Sequence, residues 1–153
     1  MIQIHRIAIL APLSVGLVVG TCAIMIYALP INATVRLILR ETKLGRVGTN
    51  AWTDMGIIAR VLFYATLTHL AEVALWGMLF IVCGEFRDFG TAFYHSAVNY
   101  TSLGYGDVVM TPDWRLLGPL ETANGLLLFG VTTATIFAVL QRLVEAKFAG
   151  LKH

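Results

Sequence analysis

Charged residues are scarce in this chain. Only 13% of its 153 residues are Asp, Glu, Lys or Arg, whereas 58% are apolar or aromatic. A soluble domain usually has about 25% charged residues, so a soluble fold of this composition would have too little polar surface to cover its apolar side chains. The composition therefore predicts a membrane protein. The formal net charge of +2 is too small to indicate a nucleic-acid-binding protein, and no nucleic acid partner is expected.

Cysteine is also sparse, and the patterns of a metal or redox site are missing. Cys22 and Cys83 lie in apolar stretches without a C-x-x-C motif, and the histidines form no cluster with metal-ligand spacing. We interpret both cysteines as small core residues. An intramembrane enzyme or redox protein built on His69, Glu72 and a cysteine is the competing class, but a metal site usually needs three or four convergent ligands. The chain is therefore not expected to be an enzyme, and no cofactor is predicted.

Three apolar stretches are long enough to cross a membrane. Residues 7–29 carry no charge, and residues 61–83 and 116–140 are interrupted by only a few polar side chains. About 20 such residues span the hydrocarbon layer as a helix. Residues 91–100 are too short to span and are interpreted as a re-entrant helix, which is tolerated where protein surrounds it. The predicted fold class is an all-α membrane protein with three transmembrane helices and a re-entrant helix followed by a loop.

The distribution of Lys and Arg sets the predicted orientation. Residues 32–60 contain five of these side chains and the tail 142–153 contains three, whereas residues 84–115 contain two. Because short cytoplasmic loops are enriched in Lys and Arg, the first two segments are expected in the cytoplasm and the N-terminus outside. The expected location is the plasma membrane, as in a prokaryotic inner membrane. A cleaved signal peptide is the alternative for the first stretch, but cleavage would leave the basic segment outside.

Arg36, Arg40, Lys43 and Arg46 have the spacing of a voltage-sensor helix. Glu41 and Gly45 interrupt that pattern, which lies in the expected cytoplasmic segment. We interpret the basic residues as a surface attracted to anionic lipid.

The segment Thr101-Ser102-Leu103-Gly104-Tyr105-Gly106-Asp107 follows the short helix directly. A potassium ion that is selected over sodium must exchange its water shell for oxygens at fixed spacing. Consecutive backbone carbonyls can supply these oxygens only if the backbone alternates in hand, which Gly104 and Gly106 allow at low cost. Ser102 can add a hydroxyl oxygen at the inner end. The segment therefore predicts an ion-selective filter.

Residues 84–140 resemble the potassium-channel pore family. The family filter reads T-V-G-Y-G, commonly preceded by Thr and followed by Asp, and this chain matches it at Thr101 and at residues 104–107. The chain departs from the family at Ser102 and Leu103, where Thr and either Val or Ile are commoner. Ser keeps the hydroxyl but loses a methyl group, so the innermost ion site is expected to be less rigid. Leu103 still offers its carbonyl.

The resemblance implies a potassium-selective channel subunit that conducts K⁺ passively. One filter loop cannot encircle an ion, so the resemblance also implies a homotetramer in the lipid bilayer, with permeant K⁺ held by oxygens of residues 101–106. A weakly selective monovalent cation channel is the alternative. The expected parts are a peripheral first helix (1–31), a basic cytoplasmic linker (32–60), a pore module (61–141) and a short tail (142–153). Within the module, the outer helix is 61–83, the pore helix 91–100, the filter 101–107 and the inner helix 116–141.

The residues expected to support the filter are Asp107, Asn99, Tyr94 and His95. Many family members carry two aromatic residues on the pore helix, often Trp-Trp, so Tyr94 and His95 alter the hydrogen bonds around the filter. Asn99 is expected to bond the filter backbone or Tyr105 of a neighbour. Asp107 is expected to bond the pore helix and attract cations, with a solvated loop carboxylate as the alternative.

Gly125 is the candidate hinge of the inner helix, although Gly also serves close packing in membrane helices. His69 and Glu72 are three residues apart and share a helix face. Ionisable groups within a membrane-spanning stretch are functional candidates. They are interpreted as a polar pair, with structural hydrogen bonding and pH sensing both open. The sequence predicts neither the gating stimulus nor a regulatory partner.

Overall fold

Four α-helices make up the described part of the chain. The computed structural model describes residues 2–150, with side-chain surroundings for residues 9–149. The helices are α1 (Ile2–Lys43), α2 (Ala51–Val82), α3 (Phe89–Tyr100) and α4 (Leu117–Gly150). Within residues 2–150 there is no strand. The all-α fold class predicted from the sequence is therefore confirmed.

Three of these helices are long and apolar enough to cross a membrane. The qualifying segments are Ile9–Lys43, Ala51–Val82 and Leu117–Ala149. Large apolar side chains remain exposed along all three, for example Met25 on α1, Phe63 on α2 and Leu127 on α4. Such surfaces are compatible with lipid or with further subunits. The fold is that of a multi-pass membrane protein.

The first two helices extend further than the sequence predicted. α1 continues through Pro30, where its end was expected, and α2 begins at Ala51, so only residues 44–50 of the expected linker 32–60 lie outside helices. Pro30 removes one backbone hydrogen bond. The Arg and Leu residues that follow it have high helix propensity, so the helix continues.

The other helices also differ from their predicted bounds. α3 begins at Phe89, two residues before the expected start, because Asp88 caps it. α4 continues from the expected end at residue 141 through most of the expected tail to Gly150. No Pro or Gly interrupts residues 141–149, so nothing local ends the helix there.

Glycines in left-handed conformations end α1 and α2. Gly45 has a φ of 62°, and the following Arg46 N–H donates to Glu41 O at 3.0 Å. This is a Schellman motif, in which a residue with positive φ redirects the chain and the last carbonyls keep their partners. Gly84, with a φ of 79°, ends α2 in the same way.

The contacts divide the molecule into two compact units, and each long helix contributes to both. The first unit comprises residues up to 26 together with 70–129 and includes α3 and the loop after it. Trp76, Phe80 and Leu117 form its buried core. All three side chains are completely buried, so this core fixes how α2 and α4 approach each other around α3.

The second unit comprises residues 27–69 together with the chain from 130 onward. Its core consists of Ile57 and Val61 on α2 and Val139 and Leu143 on α4. At the turn between α1 and α2, a Cβ atom added to Gly48 would lie 2.7 Å from the backbone nitrogen of Lys147. The turn therefore packs directly on the C-terminal part of α4.

A buried carboxylate joins α1 to α2 in this unit. The Glu41 side chain is 8% exposed, and its Oε1 accepts from Arg60 Nη1 at 3.2 Å. Arg46 lies at 3.8 Å from the other oxygen. Because Arg46 and Arg60 are more than half exposed, these ion pairs are screened by solvent and contribute about 1 kcal/mol or less each.

Candidate functional site

α3 begins at a capping aspartate. Asp88 has extended backbone angles, and its Oδ1 accepts from Thr91 N–H at 2.8 Å. The Thr91 hydrogen bonds lower the pKa of the Asp88 carboxyl, which therefore stays ionised near the positive end of the helix dipole. Along the helix, Ala92, Ser96 and Tyr100 follow at four-residue intervals and are completely buried. This face anchors α3 in the first unit.

The end of α3 holds the first residues of the loop that follows. Leu103 N–H donates to Val98 O at 3.0 Å, and Ser102 N–H donates to Asn99 O at 2.9 Å. These two bonds form a Schellman motif. Ser102 occupies its left-handed position, with a φ of 62°, although Gly is the usual residue there. The loop therefore leaves α3 in a defined direction.

The loop alternates between left-handed and ordinary backbone conformations. Ser102, Gly104 and Gly106 have φ values of 62°, 58° and 72°, whereas Leu103 and Tyr105 between them do not have positive φ. The sequence indicated this role for the two glycines but not for Ser102. No regular helix or strand alternates φ in this way.

Within one chain, the loop is uncovered. All residues from 101 to 107 are exposed, including Leu103 at 56% and Tyr105 at 66%. The six residues predicted to bind the ion, Thr101, Ser102, Leu103, Gly104, Tyr105 and Gly106, therefore lie together on one accessible segment. The Tyr105 ring has little packing within its own chain.

A hydrogen-bonded network ties the C-terminal end of the loop to α3. Tyr94 O–H donates to Asp107 Oδ2 at 2.8 Å, and His95 Nδ1 lies 2.9 Å from Val108 O. A carbonyl only accepts, so His95 carries its proton on Nδ1, and its Nε2 accepts from Asn99 Nδ2 at 2.9 Å. The network brings together the four residues predicted to support the filter. The Asn99 amide reaches His95 rather than the filter backbone.

The same bonds set the charges of this network. The hydrogen bond from Tyr94 to Asp107 lowers the pKa of Asp107 and raises the pKa of Tyr94, so one contact explains both shifts. Burial lowers the pKa of His95, whose ring packs against Phe80 and Phe86 with centroids 5.4 and 5.0 Å away. Near neutral pH the network therefore contains one negative charge, on Asp107, and a neutral imidazole.

A family comparison matches the part of the chain that builds this site. The model of a family described as an ion channel matches residues 68–142, from the second half of α2 through α3 and the loop into α4. The matched residues, just under half of the chain, support an ion-channel pore family. No curated protein and no solved structure matches the chain.

In the channel, α4 passes close to the C-terminal half of α3. A Cβ atom on Gly125 would collide with the carbonyl oxygen of Tyr100 and lie 3.2 Å from Cδ2 of that ring. One turn earlier, Thr122 Oγ1 donates to Asn99 O at 2.9 Å. Gly125 therefore permits close helix packing, and its role as a hinge stays a prediction.

His69 lies in the second unit of the channel and joins the three long helices. Its Nε2 is 2.9 Å from Thr132 Oγ1, which also bonds the Tyr27 hydroxyl. The His69 and Tyr27 rings are 5.7 Å apart. Nothing in the sequence pointed to Tyr27 or Thr132, because hydroxyl-bearing residues are common within apolar helices and the Thr hydroxyl usually bonds its own helix.

Glu72, predicted as the partner of His69, lies in the first unit. The residue is 1% exposed, and neither carboxyl oxygen has a hydrogen-bond partner among the described residues. The structure thus gives the two members of the predicted pair different surroundings. A role for either residue in sensing pH stays a prediction.

A second buried glutamate contacts α3 directly. Glu121 is completely buried, and its Oε1 is hydrogen-bonded to Ser96 Oγ. Ser96 Oγ is also 2.8 Å from Val73 O on α2. Glu121 is one of the few polar side chains in the apolar stretch 116–140, but the sequence does not indicate its partner.

Proposed function

We propose that the chain is one subunit of a potassium-selective channel, which conducts K⁺ passively through a filter formed by residues 101–106. The observation that carries this proposal is the alternation of φ at Ser102, Gly104 and Gly106. A bare K⁺ ion needs closely spaced oxygens that replace its hydration shell. The carbonyls of Ser102, Leu103, Gly104 and Tyr105, together with the Ser102 hydroxyl, are the oxygens that this backbone supplies.

The surroundings of the loop support a cation path. The C-terminal end of α3 runs directly into the loop, so the partial negative charge of the helix dipole favours a cation there. Asp107 adds a negative charge at the outer end, held by Tyr94. These features favour cations over anions, while the spacing of loop oxygens selects among cations.

A homotetramer is part of the proposal, because one loop cannot encircle an ion. The exposure of Leu103 and Tyr105 within one chain supports assembly, since further copies can cover these side chains. Exposed apolar side chains on α4, including Leu126, Leu127 and Phe137, offer surface for the same contact. In this assembly α4 is the inner helix, α2 the outer helix and α1 a peripheral addition.

The proposed channel lies in the plasma membrane with its N-terminus outside. The turn at 44–50 and the end of α4 then lie in the cytoplasm, together with Arg40, Arg46 and Lys147. This orientation follows the enrichment of Lys and Arg in cytoplasmic segments. A cysteine-accessibility assay with a membrane-impermeant reagent tests it, because a cysteine placed at Gly45 should react only from the cytoplasmic side.

A weakly selective monovalent cation channel is the second candidate. Ser102 favours it, because this residue holds a left-handed conformation without being Gly. It also lacks the methyl group that would restrict its hydroxyl. A looser innermost site would discriminate less between K⁺ and Na⁺.

The deciding experiment is a reversal-potential measurement. The purified protein is reconstituted in a planar bilayer with K⁺ on one side and Na⁺ on the other. A reversal potential near the K⁺ equilibrium potential is expected, whereas a value near zero with clear current would support the weakly selective channel. Gly104→Ala forces a side chain into a φ of 58° and should abolish selectivity. Gly45→Ala is the matched control, because Gly45 has a similar φ of 62° and nothing within 4 Å of an added Cβ, but lies outside the loop.

A further inference from the structure

Three helices of the first unit meet at the Ser96 hydroxyl. Ser96 lies on α3, Val73 on α2 and Glu121 on α4. Ser96 Oγ is 2.8 Å from the carbonyl oxygen of Val73 and is hydrogen-bonded to Oε1 of Glu121. Both Ser96 and Glu121 are completely buried. These contacts hold α3, the helix that leads directly into the filter loop.

The two contacts of Ser96 Oγ need more hydrogens than the Ser96 hydroxyl alone can supply. Each of the two oxygen–oxygen contacts requires a hydrogen between its atoms. Ser96 has one hydroxyl hydrogen, and the Val73 carbonyl can only accept. If that hydrogen lies toward Val73, the hydrogen in the second contact must come from Glu121. If the Ser96 hydrogen were instead shared between Val73 O and an ionised Glu121, the buried carboxylate would receive only a weak hydrogen bond from Ser96.

The rest of the Glu121 environment also disfavours a charge. Its second oxygen, Oε2, is buried and has no partner at full hydrogen-bond geometry among the described residues, and the only other donor that acts on the carboxyl among them is the Asn99 side chain. None of the ion pairs that the described residues form includes Glu121. A buried carboxylate without a cation and with few donors is strongly disfavoured, whereas a neutral acid is tolerated.

We propose that Glu121 holds a proton at neutral pH and donates it to Ser96, and that this relay positions the filter. The relay runs from Glu121 O–H to Ser96 Oγ, and from Ser96 O–H to Val73 O, so it connects the inner, pore and outer helices. The neighbouring Thr122 bonds Asn99 O at 2.9 Å, three residues before the left-handed Ser102. A shift of α3 would therefore move the start of the filter.

Glu121 is a positioning residue, since it acts on the ion path only through α3. Its effect on ion selection rests on the proposed function, but its protonation does not. Two readouts are therefore needed, one for the proton and one for the filter.

Infrared difference spectroscopy of the channel in lipid vesicles tests the proton. At neutral pH, the spectrum of the wild type minus that of Glu121→Gln should contain the C=O stretch of a protonated carboxylic acid. The wild type minus Glu72→Gln provides a matched control for the other buried glutamate of this unit. If the Glu121 difference instead contains the two stretches of a carboxylate, the proposal is overturned, whatever ion the channel conducts.

Reversal potentials test the positioning. Glu121→Gln keeps an N–H donor for Ser96 and should keep the K⁺ to Na⁺ permeability ratio within about twofold of the wild type. Glu121→Met has similar size and no donor, so the ratio should fall by about tenfold, the change expected for one lost buried hydrogen bond. An unchanged ratio in Glu121→Met would overturn the positioning role. If the wild type itself shows no selectivity, the proposed function fails while the infrared result still decides the proton.

Discussion

Ser102 has a backbone conformation that is unusual for its residue type. It has a φ of 62° without being Gly, and this left-handed conformation costs a non-Gly residue about 1–2 kcal/mol. The conformation persists because Ser102 N–H and Leu103 N–H both bond carbonyls of α3. The loop is therefore held by the helix before it.

This conformation predicts opposite effects for two substitutions at Ser102. Ser102→Gly removes the left-handed cost and should raise the thermal midpoint of the channel in detergent. Ser102→Val introduces a β-branched side chain, which tolerates positive φ poorly, and should lower the midpoint by the equivalent of about 1–2 kcal/mol. Circular dichroism melts measure both, with Ser102→Ala as the reference. Equal midpoints for Gly and Val would contradict the role of backbone conformation.

Asp107 is predicted to keep its charge into acid. The Tyr94 hydrogen bond lowers the Asp107 pKa below its ordinary value of 3.8. Since this pKa is lowered in the folded state, the contact is present above the ordinary value and is lost as pH falls through the lowered one. Tyr94→Phe removes the donor, so the pH at which single-channel current declines on external acidification should rise.

The control for this titration is Asp107→Asn, which removes the titrating group. The decline assigned to Asp107 should then disappear from the current–pH curve. An unchanged midpoint in Tyr94→Phe would show that the observed decline belongs to another group.

At the scale of the elements, glycines mark where helices approach one another. Gly125 lets α4 contact the end of α3, and Gly48 lets the turn at 44–50 contact the end of α4. The two glycines act in different units, so substitutions there probe separate helix contacts. Each has a matched glycine nearby whose surroundings are open.

Gly125→Ala should disturb the packing of α4 on α3. The new methyl group would collide with the Tyr100 carbonyl, a backbone atom that cannot move aside easily. Overpacking of this kind typically costs about 1–3 kcal/mol, so the thermal midpoint should fall and the reversal potential should shift toward zero. Gly130→Ala has open space and should be neutral or stabilising by up to about 1 kcal/mol. Equal behaviour of the two variants would argue against close packing at Gly125.

Gly48→Ala should destabilise the channel more than Gly45→Ala. Both glycines have positive φ, at 75° and 62°, so both substitutions strain the backbone. Only at Gly48 would the Cβ also lie 2.7 Å from Lys147 N, whereas Gly45 has nothing within 4 Å. The difference between their thermal midpoints therefore measures the contact with α4. No difference would mean that the turn does not need this contact.

For the whole molecule, K⁺ is predicted to stabilise the proposed tetramer. An ion that binds only the assembled filter adds stability by mass action, about 2.7 kcal/mol when its concentration is 100 times the dissociation constant. Replacement of K⁺ by Na⁺ at equal ionic strength should therefore lower the temperature at which tetramers dissociate, as read by native gel or native mass spectrometry. Gly104→Ala should abolish the difference between the two ions. A monomeric wild type in K⁺ would contradict the proposed assembly.

Much of the architecture could be predicted from the sequence. The apolar stretches located all three long helices, and residues 91–100 located α3 to within two residues. The predicted ends of the long helices were less accurate, because Pro30 does not end α1 and basic residues continue α1 and α4 beyond the apolar stretches. The sequence predicted the loop conformation only in part, because Gly104 and Gly106 indicate positive φ whereas Ser102 does not.

The sequence by itself determined the membrane class, the helical elements and the short loop between α3 and α4, because composition, run length and glycine placement act locally. Only the tertiary structure decided which buried polar groups meet. Glu121 reaches Ser96, and His69 reaches Thr132, across more than 20 residues of chain. Those contacts depend on the rotation and register of packed helices, which follow from side-chain packing on all faces at once.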